Sequence, residues 1–266
     1  MKNIDLEIMV GFAEELANLA SKVTLKYFRI PQSVETKSNT ISNMASIADT
    51  EAEDAMVELI KEKFPEFGVI REEGDDIISK NGYNWVLDPI DGSSSFLAGR
   101  AIWGTLIALV DPNNEVILGV MDQPYTKERW VGAKNAPTLL NGQEISTNKS
   151  SDLNQTILAK TTPHMFITNK QKDVLKKIEN LCGGKSIWGG DCYSYASLAS
   201  GYSSPMTVLE SDMNFYDFAA LIPIIQGAGG RITNWQGNSL KLEDKEVLAT
   251  SNEVLHKLAI EHINNH

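Results

Sequence analysis

The sequence predicts a mixed fold, an α+β first half joined to an α/β second half. Over residues 1–148, helical periodicities give way to consecutive β-prone runs, whereas over 149–266 strands and helices alternate. With 266 residues the chain suits one large domain or two fused halves, and these ranges are the expected halves. One stretch stands apart from this patterning. The apolar run Trp85-Val86-Leu87 stops at Asp88-Pro89-Ile90-Asp91-Gly92-Ser93-Ser94-Ser95-Phe96, which predicts a buried strand delivering two carboxylates into a glycine-serine turn. Two such acids repel unless a cation, a proton or an arginine neutralises them. Backbone N–H groups of the turn suit phosphate oxygens.

In chain order, Ile8, Phe12, Leu16, Leu19, Val23 and Tyr27 predict an amphipathic helix over Ile4–Phe28, closed by Pro31. The polar stretch 32–43 reads as a loop. A second helix from Ala48 to Phe64 carries Ala52, Ala55, Met56, Leu59 and Ile60 on one face, with a solvated Glu/Lys face opposite, and Pro65 ends it. Phe67–Ile70 is a short strand with Glu72-Glu73 just beyond it. Trp103–Val110 and Val116–Met121 form a hairpin about Asp111-Pro112-Asn113-Asn114, and Glu128–Gly132 continues the sheet. Strands at 156–160, 186–188, 206–209, 230–233 and 247–250 alternate with helices at 168–181, 192–200 and 215–228 and a last one from Asn252.

Composition removes several function classes. A net charge of −11 argues against nucleic acid or an anionic membrane as partner, and no apolar run approaches a membrane span. The start of the chain leads directly into a charged amphipathic segment without a signal-peptide pattern, so the expected location is the cytoplasm. Cys182 and Cys192 lack metal-ligand spacing and the four histidines are scattered, which disfavours zinc or a nucleophilic triad. Cys192 reads as a small buried residue, and Trp103, Trp130 and Trp188 as core or interface aromatics. The oxygen-rich acids Glu72-Glu73, Asp88/Asp91 and Asp217 suit a hard cation, magnesium or manganese. Taken singly, Asp217 reads as a helix cap.

Three motifs then resemble one family. Asp88-Pro89-Ile90-Asp91-Gly92-Ser93-Ser94, the upstream Glu72-Glu73, and Tyr216-Asp217-Phe218-Ala219-Ala220 with Gly227-Ala228-Gly229-Gly230 resemble the signatures of the inositol monophosphatase superfamily of magnesium-dependent phosphomonoesterases. The resemblance implies a layered α-β-α-β-α sandwich of the inositol monophosphatase and fructose-1,6-bisphosphatase type, a homodimer, and two or three magnesium ions per site. Segments 103–110 and 116–121 are candidates for the dimer contact. It further implies Glu72 on the first metal and the attacking water, Asp88 bridging two metals, and the Ile90 carbonyl completing the first site. Asp91 and Asp217 would hold the second metal. Gly92, Ser93 and Ser94 would hold the phosphate, with the Ser93 hydroxyl hydrogen-bonded to Asp49. Ser93 replaces the family's usual threonine. The loop around Lys37 and Ser42-Asn43-Met44-Ala45 matches a segment near the metals that is more often acidic.

Trp103–Leu109, Met121–Pro124, Glu128–Trp130, Gly189–Tyr193, Glu210–Asp212 and Ala220–Ile225 look like the histidinol-phosphatase branch. That branch implies L-histidinol phosphate as substrate, within histidine biosynthesis, with Asp191 and Glu210 facing a leaving group that carries an ammonium and an imidazole. The simpler account of Asp191 is a cap for the helix at Cys192. Inositol 1-phosphate, or a range of sugar phosphates, is the alternative substrate class. A non-catalytic, regulatory dimer is the alternative from another class.

Overall fold

The computed structural model describes residues 4–30 and 42–265. Helices α1 (Leu6–Thr24) and α2 (Ser42–Lys63) precede a seven-stranded sheet. Its strands lie side by side in chain order: β1 (Gly68–Ile70), β2 (Asn84–Asp91), β3 (Gly104–Val110), β4 (Val116–Gln123), β5 (Glu128–Ala133), β6 (Leu139–Leu140) and β7 (Gln143–Glu144). Only β1 and β2 are parallel, and a short helix, α3 (Ser93–Leu97), follows β2. The remaining strands are β8 (Ile157–Lys160), β9 (Ser186–Trp188), β10 (Met206–Glu210), β11 (Arg231–Thr233) and β12 (Val247–Thr250). They form a second sheet in the order β11-β12-β10-β8-β9. Helices α4 (Asn169–Leu181), α5 (Asp191–Ser200), α6 (Phe215–Phe218), α7 (Leu221–Gly227) and α8 (Glu253–Asn264) complete the chain.

The two-residue period of the strands decides the layering. On β2, Trp85 and Leu87 join Phe12, Leu16, Val57 and Ile60 of α1 and α2, whereas Val86 faces the opposite way. There Val86, Leu106, Ala108 and Met121 meet Tyr195 and Ala196 of α5, Ile224 and Ile225 of α7, and Val208 and Ala249 of the second sheet. The outer face of that sheet, through Leu158, Leu209 and Leu248, packs on Val174 and Ile178 of α4 and Ala259 and Ile263 of α8. Helices, sheet, helices, sheet, helices is the α-β-α-β-α sandwich expected. Each fully buried aliphatic side chain in these layers contributes roughly 2 kcal/mol of transfer free energy.

A pair of glycines brings α7 onto the first sheet. Gly119 and Gly132 face each other across β4 and β5. A Cβ at Gly119 would fall 2.0 Å from the Ala220 carbonyl oxygen, and one at Gly132 would fall 2.4 Å from the Ile224 nitrogen. Backbone therefore rests on backbone, and this contact seats the segment that carries Asp217.

Several boundaries differ from expectation. Helix α2 starts at Ser42 rather than at Ala48 and takes in residues 42 and 43 of the expected loop; no glycine or proline interrupts 42–63. The expected helix 215–228 is two pieces, α6 and α7. Pro223 has no N–H to donate to the Ala219 carbonyl and its ring crowds it, so the chain turns there with Ile222 N–H on Ala219 O at 3.3 Å. Ser93–Leu97 is a helical turn rather than an open turn. Strands β3 and β4 are central and buried almost throughout, so 103–110 and 116–121 offer no surface to a second copy. Trp103 and Trp130 are fully buried, but Trp188 is exposed, with the Lys160 ammonium 4.0 Å from its ring centre. Pro31, residues 32–41 and Lys37 lie outside the described residues. Among the described residues, no helix is long and apolar enough to cross a membrane.

Candidate active site

The site begins with a fault in the β2–β3 register. Asp88 pairs with Leu106 and Asp91 with Gly104, so three steps on β2 match two on β3. Strict alternation would send Asp88 and Asp91 to opposite faces; the extra residue turns them to the same one. Pro89 has no N–H to leave unpaired, and the buried Thr105 hydroxyl donates to its carbonyl at 2.7 Å. Gly92, at φ 91°, then leads into α3. A Cβ there would lie 3.1 Å from Asp191 Oδ2, which places Asp191 against the turn.

Three other elements bring acids to the same place. Asp49 comes from α2, Glu72 from the loop after β1, and Asp217 from α6. One oxygen from each of Asp49, Glu72 and Asp88 lies within 4.8 Å of the others, and the same holds for Asp88, Asp91 and Asp217. Asp88 thus belongs to both groups. Asp217 is a cap as well, because its Oδ2 accepts the Asn214 N–H at 2.6 Å. Asp91 Oδ2 accepts the Cys192 N–H at 2.5 Å and so closes the first turn of α5. Asp191 is therefore not the cap of that helix; it holds a left-handed conformation at φ 41°.

Burial is the largest cause that pushes every one of these carboxyls above its ordinary range. Asp49 rises to about 9, Glu72 to about 7 and Asp217 to about 6, while Asp88 and Asp91 rise well above the usual carboxylate value. Charge repulsion from neighbouring acids adds to it. None of the five forms an ion pair among the described residues. Asp49 Oδ1, Glu72 Oε2 and Asp88 Oδ1 are buried without a hydrogen-bond partner. Buried carboxylate oxygens left unpaired are costly, and an all-oxygen donor set of this kind fits a hard divalent cation.

The remaining expected residues fall close by, with one changed contact. Ser93 and Ser94 are exposed at the start of α3. The Ser93 hydroxyl donates to the Ile90 carbonyl at 3.3 Å, not to Asp49. A serine lacks the β-branch that restricts threonine and so is free to take this rotamer. Ile90 packs its side chain with Phe28, Phe96 and Trp103 and presents its carbonyl at the bulge. Glu210, at the end of β10 and 1% exposed, accepts both the N–H and the hydroxyl of Thr161 on Oε1, at 2.8 and 2.9 Å, and has no partner on Oε2. Burial first and the charge of Asp191 among other causes hold Glu210 up at about 8. Cys192 is buried, and burial pushes its thiol well up, as an inert residue requires.

One residue at the site escaped the sequence reading. Glu53 is completely buried on α2, where the pattern predicts a solvated Glu/Lys face. Its Oε1 accepts the backbone N–H groups of Glu72 and Glu73 at 2.8 and 3.1 Å, and its Oε2 accepts Arg71 Nε at 2.7 Å. Its spacing of one helical turn from Asp49 was the available signal.

Comparison with known proteins identifies the family. The model of the inositol monophosphatase family matches residues 5–266. The chain is 36% identical to a bifunctional phosphatase, IMPL2, of Arabidopsis thaliana, covering 100% of this chain and 78% of that protein. It is 31% identical to a histidinol-phosphatase of Chlorobaculum parvum over 95% of both. A solved inositol monophosphatase from Zymomonas mobilis superposes with a TM-score of 0.87 at 36% identity, covering 99% of this chain and 100% of the other. A match along the whole sequence, and the same layered architecture, make this chain a member of the inositol monophosphatase family of phosphatases.

Proposed function

We propose that this chain hydrolyses small phosphate monoesters at the acidic cluster, with L-histidinol phosphate as the preferred substrate. The observation that carries the substrate is the second pair of acids, Asp191 and Glu210, beside the first cluster. Glu210 Oε2 is buried and unpartnered, and Asp191 borders Gly92. Two acids there match a leaving group bearing an ammonium and an imidazole, whose positive charge favours the ionised form of Glu210. The name of the Chlorobaculum relative, a histidinol-phosphatase, supports the same branch.

In this reading Glu72, Asp88 and the Ile90 carbonyl hold one divalent cation, and Asp88, Asp91 and Asp217 a second. Magnesium or manganese, when bound, supplies Lewis-acid charge to the phosphate oxygens and lowers the pKa of a water. Glu72 Oε2 is the acceptor placed for that water's proton, with Asp49 beside it. Gly92, Ser93 and Ser94 orient the phosphate at the mouth, and Asp191 and Glu210 fix the alcohol. A second copy of the chain remains part of the proposal, and the outer edge of β9, with Ile187 and Trp188 exposed, is a surface available for it.

A second reading, inositol 1-phosphate, is favoured by Arg100. Its guanidinium lies at Gly189, and although burial raises the Asp191 carboxyl above its ordinary range, the Arg100 charge acts against that shift and answers part of the acid that a cationic alcohol would use. Phosphate release from L-histidinol phosphate and inositol 1-phosphate, with and without magnesium, separates the two. The expected result is a kcat/KM at least about tenfold higher for histidinol phosphate, selectively reduced about 10- to 100-fold by Asp191→Asn or Glu210→Gln. A preference for inositol phosphate overturns the substrate assignment.

A further inference from the structure

We infer that Glu53 is the positioning residue of the Glu72 carboxylate, acting through the main chain rather than touching the cation or the substrate. This rests on the reading of Glu72 as a cation ligand. Loops after short strands are usually loose, yet the loop after β1 is tied at three points to one buried side chain. The N–H groups of Glu72 and Glu73 converge on Glu53 Oε1, at 2.8 and 3.1 Å, and the Arg71 guanidinium occupies Oε2 at 2.7 Å. Two consecutive N–H groups held by one oxygen fix both peptide planes, and with them the direction in which the Glu72 side chain leaves the backbone. Arg71 is fixed in turn by Asp54 at 2.6 Å. It lies flat over Gly74, where a Cβ would come within 2.4 Å of the guanidinium carbon.

The same helix presents Asp49 to the acidic cluster one turn before Glu53. Helix α2 therefore supplies one acid to the cluster and sets the pose of another. Outer residues that orient ligands in this way typically change metal affinity about 10- to 100-fold when replaced.

The chemistry demands a carboxylate with acceptors on both sides. In Glu53→Gln, whichever way the amide is turned, its NH2 faces either the two backbone N–H groups or Arg71 Nε, a donor against a donor. Removing the guanidinium in Glu53→Gln/Arg71→Met relieves that conflict and leaves the amide oxygen for the two backbone N–H groups.

The test is Mn2+ binding to the metal-free protein, followed calorimetrically, with circular dichroism to establish the folded fraction and Glu72→Gln as control. We expect Glu53→Gln to raise the Mn2+ Kd about 10- to 100-fold and the double variant to recover most of the loss. KM for substrate at saturating metal should stay within about twofold. A loop-stabilising role alone would lower Tm and leave the Kd of the folded protein unchanged, and that outcome overturns the inference. If Glu72→Gln weakens binding and Glu53→Gln does not, the positioning role fails while the ligand reading stands. If Glu72→Gln itself leaves binding intact, both fall.

Discussion

Asp88 and Asp122 sit on adjacent rungs of the first sheet, face opposite layers and are equally hidden from solvent, yet their surroundings are opposite. Asp122 is paired: Arg129 Nε donates to one oxygen at 2.7 Å, and the other lies 2.6 Å from the Ser21 hydroxyl, whose one proton is shared with the Ala17 carbonyl at 2.7 Å. Asp88 has an unpartnered buried oxygen and four acids around it. A buried charge that the fold has satisfied supports the fold. One left unsatisfied is kept for something outside the chain. The contrast can be broken in a graded way.

The largest effect belongs to Asp88→Asn. It should reduce kcat/KM by about a thousandfold or more, because it removes charge from both cation positions. In metal-free buffer the variant should melt at a higher temperature than the parent, and magnesium should no longer raise its Tm. Calorimetric melts with and without magnesium check this; a lower metal-free Tm would mean that Asp88 is already satisfied by the fold.

Glu210 comes next, as a half-satisfied intermediate case. Its carboxyl sits near 8 in the fold against an ordinary 4.5, raised mainly by burial. The folded state then holds a proton that the unfolded chain has released, so this group's stability is full below pH 4.5 and is lost as pH rises through about 8. The loss is on the order of 5 kcal/mol. Denaturant titrations from pH 5 to pH 8.5 should show the parent falling relative to Glu210→Gln, and parallel curves would remove the effect.

Asp122→Asn should do the reverse of Asp88→Asn. Breaking the pair costs about 2 kcal/mol of stability, read as a lower urea midpoint, with kcat within about twofold of the parent. A large loss of turnover in this folded variant would show that the two aspartates are not separable.

The smallest effect is assigned to Thr105→Val, which leaves the Pro89 carbonyl of the bulge unpaired. About 1 kcal/mol of stability and a few-fold of kcat are expected to go together, because the bulge aims Asp91. Urea melts beside steady-state rates test the coupling.

Much of the site was legible because its residues break local rules. A strand of Trp, Val and Leu that ends in Asp-Pro-Ile-Asp is anomalous on its own, and Glu72 and Asp217 fall at predicted strand and helix ends. What the pattern of apolar residues cannot carry is partnership. The bulge that turns Asp91 to the face of Asp88 exists only against β3. Glu53 carries one local signal, its spacing of a helical turn from Asp49, but its partners come only from the loop that folds onto it. The fate of the Cys192 N–H was equally hidden: an aspartate at Asp191 looks like its cap, but Asp91, remote in sequence, takes the bond. By contrast, the break between α6 and α7 was written in Pro223, and the continuous helix expected there overlooked a local signal. The layers came from the family resemblance and not from the pattern, since Trp85, Val86 and Leu87 form an unbroken apolar run whose members sort to opposite faces only once both faces are covered.

The two acidic groups meet at Asp88, but they are assembled over different spans of chain. Glu72, in the loop just after β1, and Asp88, on the neighbouring parallel strand β2, come together locally, whereas Asp217 arrives only when α6 docks against β2. Closing that long segment is entropically slow compared with pairing β1 and β2, and it drives like charges together as it closes. A divalent cation present during refolding should therefore accelerate the last docking step and leave the early ones untouched. Stopped-flow refolding with and without magnesium checks this, and a refolding rate that the cation leaves unchanged would mean that gathering the acids does not limit folding.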